Sequence, residues 1–101
     1  MYIVTNRVFV SSDWKDEFKT RFENRAGQID KQEGFVRLQI LEPKSENTPF
    51  VVMTTWESEK AFRNWVGSDD FKIAHANPMP KEAFTKEGQL EQFEVIISSQ
   101  K

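Results

Sequence analysis

Three side chains of this 101-residue sequence, Asn6, Trp65 and His75, stand where they could act on a bound molecule. His75 is the only histidine and there is no cysteine, which excludes thiolate chemistry and a typical structural zinc site. The sequence also lacks a glycine-rich phosphate loop, a Gly-x-Ser-x-Gly motif and a paired-carboxylate signature.

His75 has the most distinctive surroundings of the three. Ala74 and Ala76 flank it, and Phe71 lies one helical turn earlier. Small neighbours would allow a planar group to approach the backbone closely. A single neutral imidazole suits haem iron, because the other axial position must stay free for O₂. A surface or purely structural histidine is the alternative interpretation.

Asn6 and Trp65 each allow two interpretations. Asn6 is the one amide on a strand face otherwise made of Tyr and Val, so it either bonds a neighbouring backbone group or donates into a pocket. Trp65 lies on an apolar helical stripe, where core packing is the default. An unbroken helix would separate Trp65 from His75 by about 15 Å along its axis. A break at Gly67-Ser68 would allow both side chains to face one cavity.

Alternation and helical spacing predict the elements that carry these residues. Strands are expected over 2–10, 35–41, 50–56 and 90–98. Residues 11–13 should cap a first helix of about four turns, and Ser58 a second helix that is interrupted and capped again at 67–69. The apolar stripe of the first helix is Trp14, Phe18, Phe22, Ala26 and Ile29.

The predicted order β-α-β-β-α-β is the ferredoxin-like α+β pattern, and we expect one domain over residues 1–101. Helices on one face leave the other sheet face uncovered, which favours a homodimer.

The charge balance and the apolar runs limit the possible partners and location. Fourteen basic against sixteen acidic residues, without a basic block, give no support for nucleic-acid binding. No apolar run is long enough for a membrane span, and the N-terminus does not look like a signal peptide, so we expect a cytoplasmic protein.

Taken together, these residues resemble the IsdG-type haem-degrading monooxygenases of the antibiotic-biosynthesis-monooxygenase-like superfamily, which form dimeric α+β barrels. The likeness includes Asn6-Arg7, Glu33-Gly34-Phe35 and the stretch 55–75. The Trp-Glu-Ser sequence at 56–58 followed by a helix is shared across the superfamily. The combination of a strand-one Asn, a mid-helix Trp and a His ten residues later is more specific.

The resemblance implies that haem is both substrate and prosthetic group, and that the porphyrin is opened oxidatively with release of iron. It implies that His75 is the proximal ligand of the haem iron and that Asn6 forms a hydrogen bond on the distal side. By the same resemblance Trp65 bends the macrocycle and Phe71 contributes to haem binding. Dioxygen and an external electron donor, supplied by an unidentified reductase, would complete the reaction.

Other functions are compatible with the same pattern. A cofactor-independent monooxygenase of the same superfamily, acting on a quinol or polyketide, would need the cavity but no iron ligand. A non-catalytic haem-binding module and a purely structural dimer are further alternatives.

Overall fold

The computed structural model describes residues 1–25 and 27–101. It contains one four-stranded antiparallel sheet, whose strands lie side by side in the order Phe35–Leu41, Phe50–Trp56, Tyr2–Val8 and Gln89–Glu94. The predicted ferredoxin-like α+β fold is confirmed, with the second helix divided in two. In the part of the chain so described, no helix is long and apolar enough to cross a membrane. The elements are β1 (Tyr2–Val8), α1 (Lys15–Glu23), β2 (Phe35–Leu41), β3 (Phe50–Trp56), α2 (Glu59–Val66), α3 (Asp69–Ala74) and β4 (Gln89–Glu94).

The core between sheet and helices consists of two separate clusters. The α2 cluster contains Tyr2, Val4, Trp56 and Trp65. The α1 cluster contains Val8, Val10, Phe18 and Phe50. Both clusters use the alternate residues of β1 that face the helices, as the period of two in that strand predicts. Between Val4 and Val8 the same face carries an exposed residue, so neither helical layer covers the middle of β1.

The first helix is shorter than predicted. It ends at Glu23, and Ile29 belongs to a separate 3-10 turn, Ile29–Lys31. Gly27 has a φ of 78°, a left-handed conformation that cannot continue a right-handed helix. Ala26, which we placed on the helical stripe, lies outside the described residues. The expected cap also differs, because the Ser11 hydroxyl donates to the carbonyl of Glu82 at 2.8 Å.

The last strand also ends earlier than predicted. β4 stops at Glu94 because its neighbour β1 begins at Tyr2, the residue paired with Glu94. One further bond follows, from the Val95 amide to the Met1 carbonyl at 3.0 Å. Among the described residues, no backbone pairs with the chain beyond Val95. Ile96 and Ile97 are 86% and 85% exposed there.

The contact between Gly34 and Ala61 sets how closely α2 lies against the start of β2. Gly34 has a φ of 81°, and a Cβ at this position would lie 2.5 Å from the Ala61 Cβ. We predict that Gly34→Ala lowers the free energy of unfolding by about 3 kcal/mol, through backbone strain and overpacking together. Urea unfolding measures the loss.

Gly67→Ala is the matched control. Gly67 has a φ of −85°, and a Cβ there would lie no nearer than 3.6 Å to a neighbouring atom. The control should change the free energy of unfolding by less than about 1 kcal/mol. If both variants lost the same free energy of unfolding, the close contact between Gly34 and Ala61 would not explain the loss in Gly34→Ala.

Candidate functional site

The break between α2 and α3 is formed by Ser68. Its hydroxyl donates to the carbonyl of Trp65 at 2.7 Å and accepts from the amide of Phe71 at 3.1 Å. The first bond satisfies a carbonyl at the end of α2, and the second caps the start of α3. The predicted interruption and new cap are therefore confirmed, and the helix axis changes direction between Trp65 and His75.

The change of direction places three aromatic side chains in a row. The rings of Trp65 and Phe71 meet edge to face, with centroids 5.4 Å apart and planes at 78°. The rings of Phe71 and His75 stack, with centroids 4.1 Å apart and planes at 30°. Phe71 thus joins the buried end of the row, where Trp65 is 5% exposed, to its solvent end at His75.

A hydrogen bond fixes the orientation of the imidazole. His75 is the C-terminal cap of α3, and its Nδ1 lies 2.8 Å from the carbonyl oxygen of Phe71. A carbonyl can only accept, so in the neutral ring Nδ1 carries the proton. Nε2 then keeps its lone pair on an exposed side chain. This tautomer, with Nδ1 donating to a carbonyl, is a common arrangement for a histidine that binds a metal through Nε2.

Asn6 lies on β1 in the uncovered middle of the sheet. It is opposite Val52 on β3 and Leu90 on β4, and Leu90 is 57% exposed. The Asn6 side chain is exposed and forms no hydrogen bond with any other described residue. Its amide therefore does not bond a neighbouring backbone group, which was the simpler of the two interpretations. The amide remains available to an external partner.

The start of β4 passes close to this amide. A Cβ on Gly88 would lie 3.4 Å from the Asn6 Oδ1 and 2.9 Å from the Arg7 carbonyl. Glycine is required here because any side chain would press on the β1 backbone. The sequence pattern did not identify Gly88, since the close approach arises only when β4 pairs with β1.

The segment after His75 connects the two clusters. Arg21 on α1 donates from Nη1 to the carbonyl of Asn77 at 2.7 Å, and Met79 packs against the α1 cluster. The chain therefore crosses from α3 toward α1. Sequence reasoning missed Arg21, because its partner is a backbone carbonyl that leaves no pattern in residue types.

The structure joins Trp65, Phe71 and His75 in direct contact, whereas Asn6 touches none of them among the described residues. Asn6 lies two residues from Val4, which belongs to the same α2 cluster as Trp65. It therefore lies on the helix-facing side of the sheet, next to that cluster. The described residues contain no group of three or more His, Asp or Glu side chains able to hold a metal ion.

Two grooves elsewhere on the surface are separate from these residues. One, of about 300 Å³, lies along α1 and β2, where the Lys19 ammonium binds the Glu42 carboxylate at 3.0 Å. The hydrogen bond between them raises the pKa of Lys19 and lowers the pKa of Glu42. The other groove surrounds the loop between β2 and β3. Neither groove is lined by any member of the aromatic row or by Asn6.

Comparison with known proteins gives one family and several named relatives. The family model described as antibiotic biosynthesis monooxygenase matches residues 1–77. A protein named heme oxygenase (staphylobilin-producing) from Staphylococcus haemolyticus is 37% identical over 79 residues, which are 76% of this chain and 75% of that protein.

Two solved structures share the fold over nearly the whole chain. The heme-degrader MhuD from Mycobacterium tuberculosis, with two hemes bound in its active site, has a TM-score of 0.81 and 28% identity, and covers 99% of this chain and 100% of its own. SnoaB, a cofactor-independent oxygenase from Streptomyces nogalater, has a TM-score of 0.73 and 21% identity, over 96% of this chain and 94% of its own. At that identity the second likeness shows the fold alone.

We predict that the neutral His75 ring is the Nδ1–H tautomer. Long-range proton–nitrogen correlation spectra at alkaline pH distinguish a protonated from an unprotonated ring nitrogen, and His75 is the only histidine to assign. A proton on Nε2 would contradict the bond to the Phe71 carbonyl and leave no lone pair pointing outward.

Proposed function

Because the chain belongs to the antibiotic biosynthesis monooxygenase family, we propose that it is a haem-degrading monooxygenase that opens the porphyrin oxidatively and releases iron. The named heme oxygenase relative and the heme-degrading structural neighbour both support this activity. The observation that carries the proposal is the exposed imidazole whose Nδ1 is held by a carbonyl and whose Nε2 has no hydrogen-bond partner among the described residues.

The residues of the site fit haem. Haem would need one nitrogen ligand from the protein, because the porphyrin supplies the others, and the sequence offers one imidazole. Small residues at 74 and 76 leave room beside His75, and the neighbouring Ile73 is 56% exposed. An apolar surface with one nitrogen donor and one amide suits a flat, mostly apolar ligand.

We assign His75 as the iron ligand. Haem would supply the redox-active iron and the porphyrin carbon that is oxidised. The bond from Nδ1 to the Phe71 carbonyl keeps the proton away from Nε2, and the stacked Phe71 ring limits rotation of the imidazole. Phe71 thus helps to bind haem by holding its ligand in place.

We propose that Asn6 would donate a hydrogen bond toward the bound group. Its amide is exposed on an otherwise apolar strand face and is not bound to described residues. A donor that has no competing protein partner can turn toward a bound group without breaking an existing bond.

Trp65 is proposed to bend the porphyrin. It is buried among Tyr2, Val4 and Trp56, so its ring cannot move aside when a ligand presses against it. The helical position of Trp65 predicts a core residue, and this core packing supports its proposed function. An indole held rigidly by the core forces the porphyrin, which is easier to deform, to bend.

The reaction consumes O₂ and electrons, so the proposal includes an external electron donor, an unidentified reductase.

We also propose a homodimer formed through the uncovered sheet face, on which Phe93 is 50% exposed. The exposed Ile96 and Ile97 beyond β4 would take part in the same interface. Residues 1–101 would act as one domain, because β4 completes the sheet begun by residues 1–77.

We predict that His75→Ala abolishes the histidine-ligated haem spectrum and stops turnover. The fold should persist, because the side chain is exposed and lies beyond the last residue of α3. Haem titration followed by absorption spectroscopy measures ligation, and circular dichroism checks the fold. Added imidazole should restore the ligated spectrum in the variant, since it supplies the missing nitrogen. Haem degradation by His75→Ala at the wild-type rate, without imidazole, would refute the ligand assignment.

A second prediction separates bending of the porphyrin from core packing. Trp65→Phe and Trp56→Phe make the same change in one cluster, and Trp56 is fully buried. Both should lower the free energy of unfolding by about 1–3 kcal/mol. Only Trp65→Phe should slow degradation of bound haem, as followed by loss of the Soret band. Unchanged haem turnover in Trp65→Phe would show that Trp65 has only a packing role in the core.

A further inference from the structure

We propose that Gln32 is a positioning residue for the iron ligand, acting on α3 through Asp70. The inference rests on the proposed function, because it explains how the imidazole is held for iron. Gln32 lies 43 positions before His75 in the chain and does not belong to the aromatic row. It connects the loop before β2 to the helix that presents His75.

The contacts of Gln32 extend in two directions. Its side-chain Nε2 donates to the Asp70 Oδ2 at 2.9 Å and to the backbone carbonyl of Gln28 at 3.0 Å. The bond to Gln28 fixes the rotamer of Gln32, and the bond to Asp70 reaches the second residue of α3. Both side chains are half-buried, so water competes less for this bond than it would on an open surface.

The loop that carries Gln32 is itself firmly held. The Arg25 guanidinium binds both carboxylate oxygens of Asp30, each at 3.0 Å. Ile29 packs against the α2 cluster, and the Phe35 amide donates to the Gln32 carbonyl at 3.2 Å where β2 begins. Gln32 is therefore fixed relative to the sheet. Its hydrogen bond to Asp70 fixes α3 relative to the sheet as well.

Helix α3 needs such an anchor. It has six residues, too few to be stable by itself, and it follows a break at which its axis can pivot. The edge-to-face contact of Phe71 with Trp65 limits sliding of α3 along α2. The Phe71 ring can still tilt within this contact. Asp70 precedes His75 by five residues, about 7.5 Å along a helix. Holding Asp70 therefore fixes the direction in which the imidazole points.

Asp69→Ala and Asp70→Ala form a matched pair for the test. Each removes one carboxylate from the first turn of α3, but only Asp70 bonds Gln32. We expect Asp70→Ala and Gln32→Ala each to weaken haem binding about fivefold and to broaden the iron–histidine stretching band of the ferrous complex. Asp69→Ala should leave the band unchanged and the affinity within about twofold. Combining Gln32→Ala with Asp70→Ala should add no further loss.

Amide hydrogen exchange without haem tests the same bond independently of the proposed function. The amides of residues 71–75 should exchange faster in Gln32→Ala and Asp70→Ala than in the wild type or in Asp69→Ala. Faster exchange in these two variants, together with a wild-type protein that binds no haem, would preserve the anchor and refute the proposed function. Equal effects of Asp69→Ala and Asp70→Ala on both readouts would overturn the positioning role, since helix-end charge would then be sufficient.

An exchange of the two groups provides a further check that does not delete a side chain. Gln32→Glu alone places two carboxylates together and should accelerate exchange in α3 more than Gln32→Ala does. In the double variant Gln32→Glu/Asp70→Asn, the amide lies on α3 and donates to the carboxylate at position 32, whereas the bond to the Gln28 carbonyl is lost because a carboxylate cannot donate. Exchange should slow toward the wild-type rate in this double variant. Exchange as fast as in Gln32→Glu alone would contradict a direct contact.

Discussion

The Ser68 hydroxyl determines how the site is assembled. It donates to the last turn of α2 and accepts from the first turn of α3, so it ends one helix and begins the next within a few residues. The change of axis allows Phe71 to lie between Trp65 and His75. The ring contacts from Trp65 through Phe71 to His75 therefore fix the exposed imidazole of His75 relative to the packed core. A continuous helix would direct the two side chains about 80° apart and leave them unconnected.

The division of the core into two clusters is equally important. A single continuous core would cover the middle of β1 and bury Asn6, where an amide without a partner is costly. Instead the α1 and α2 clusters leave Asn6 and Leu90 exposed on the helix-facing side of the sheet. The segment after His75 then crosses between the clusters and is held to α1 by Arg21. An open sheet surface beside packed clusters suits a flat, mostly apolar ligand.

Much of this architecture could be predicted from residue types. The strands at 35–41 and 50–56, the Ser58 and Ser68 caps and the ferredoxin-like order follow from local patterns, and the family assignment is confirmed by the match over 1–77. The left-handed φ of Gly27 keeps Ile29 out of α1, and β4 ends where its pairing with β1 ends. The Gln32–Asp70 bond joins residues far apart in sequence, so no periodicity indicates it.

Haem turnover by the unmodified protein tests the central claim most directly. The purified protein would be titrated with haem, then given ascorbate in air while the Soret band and chelatable iron are followed. We expect a histidine-ligated Soret band that forms on titration and is lost after ascorbate, with iron appearing in the chelator. A bound haem that keeps its Soret band under these conditions would show a haem-binding protein without degrading activity, and would contradict the account.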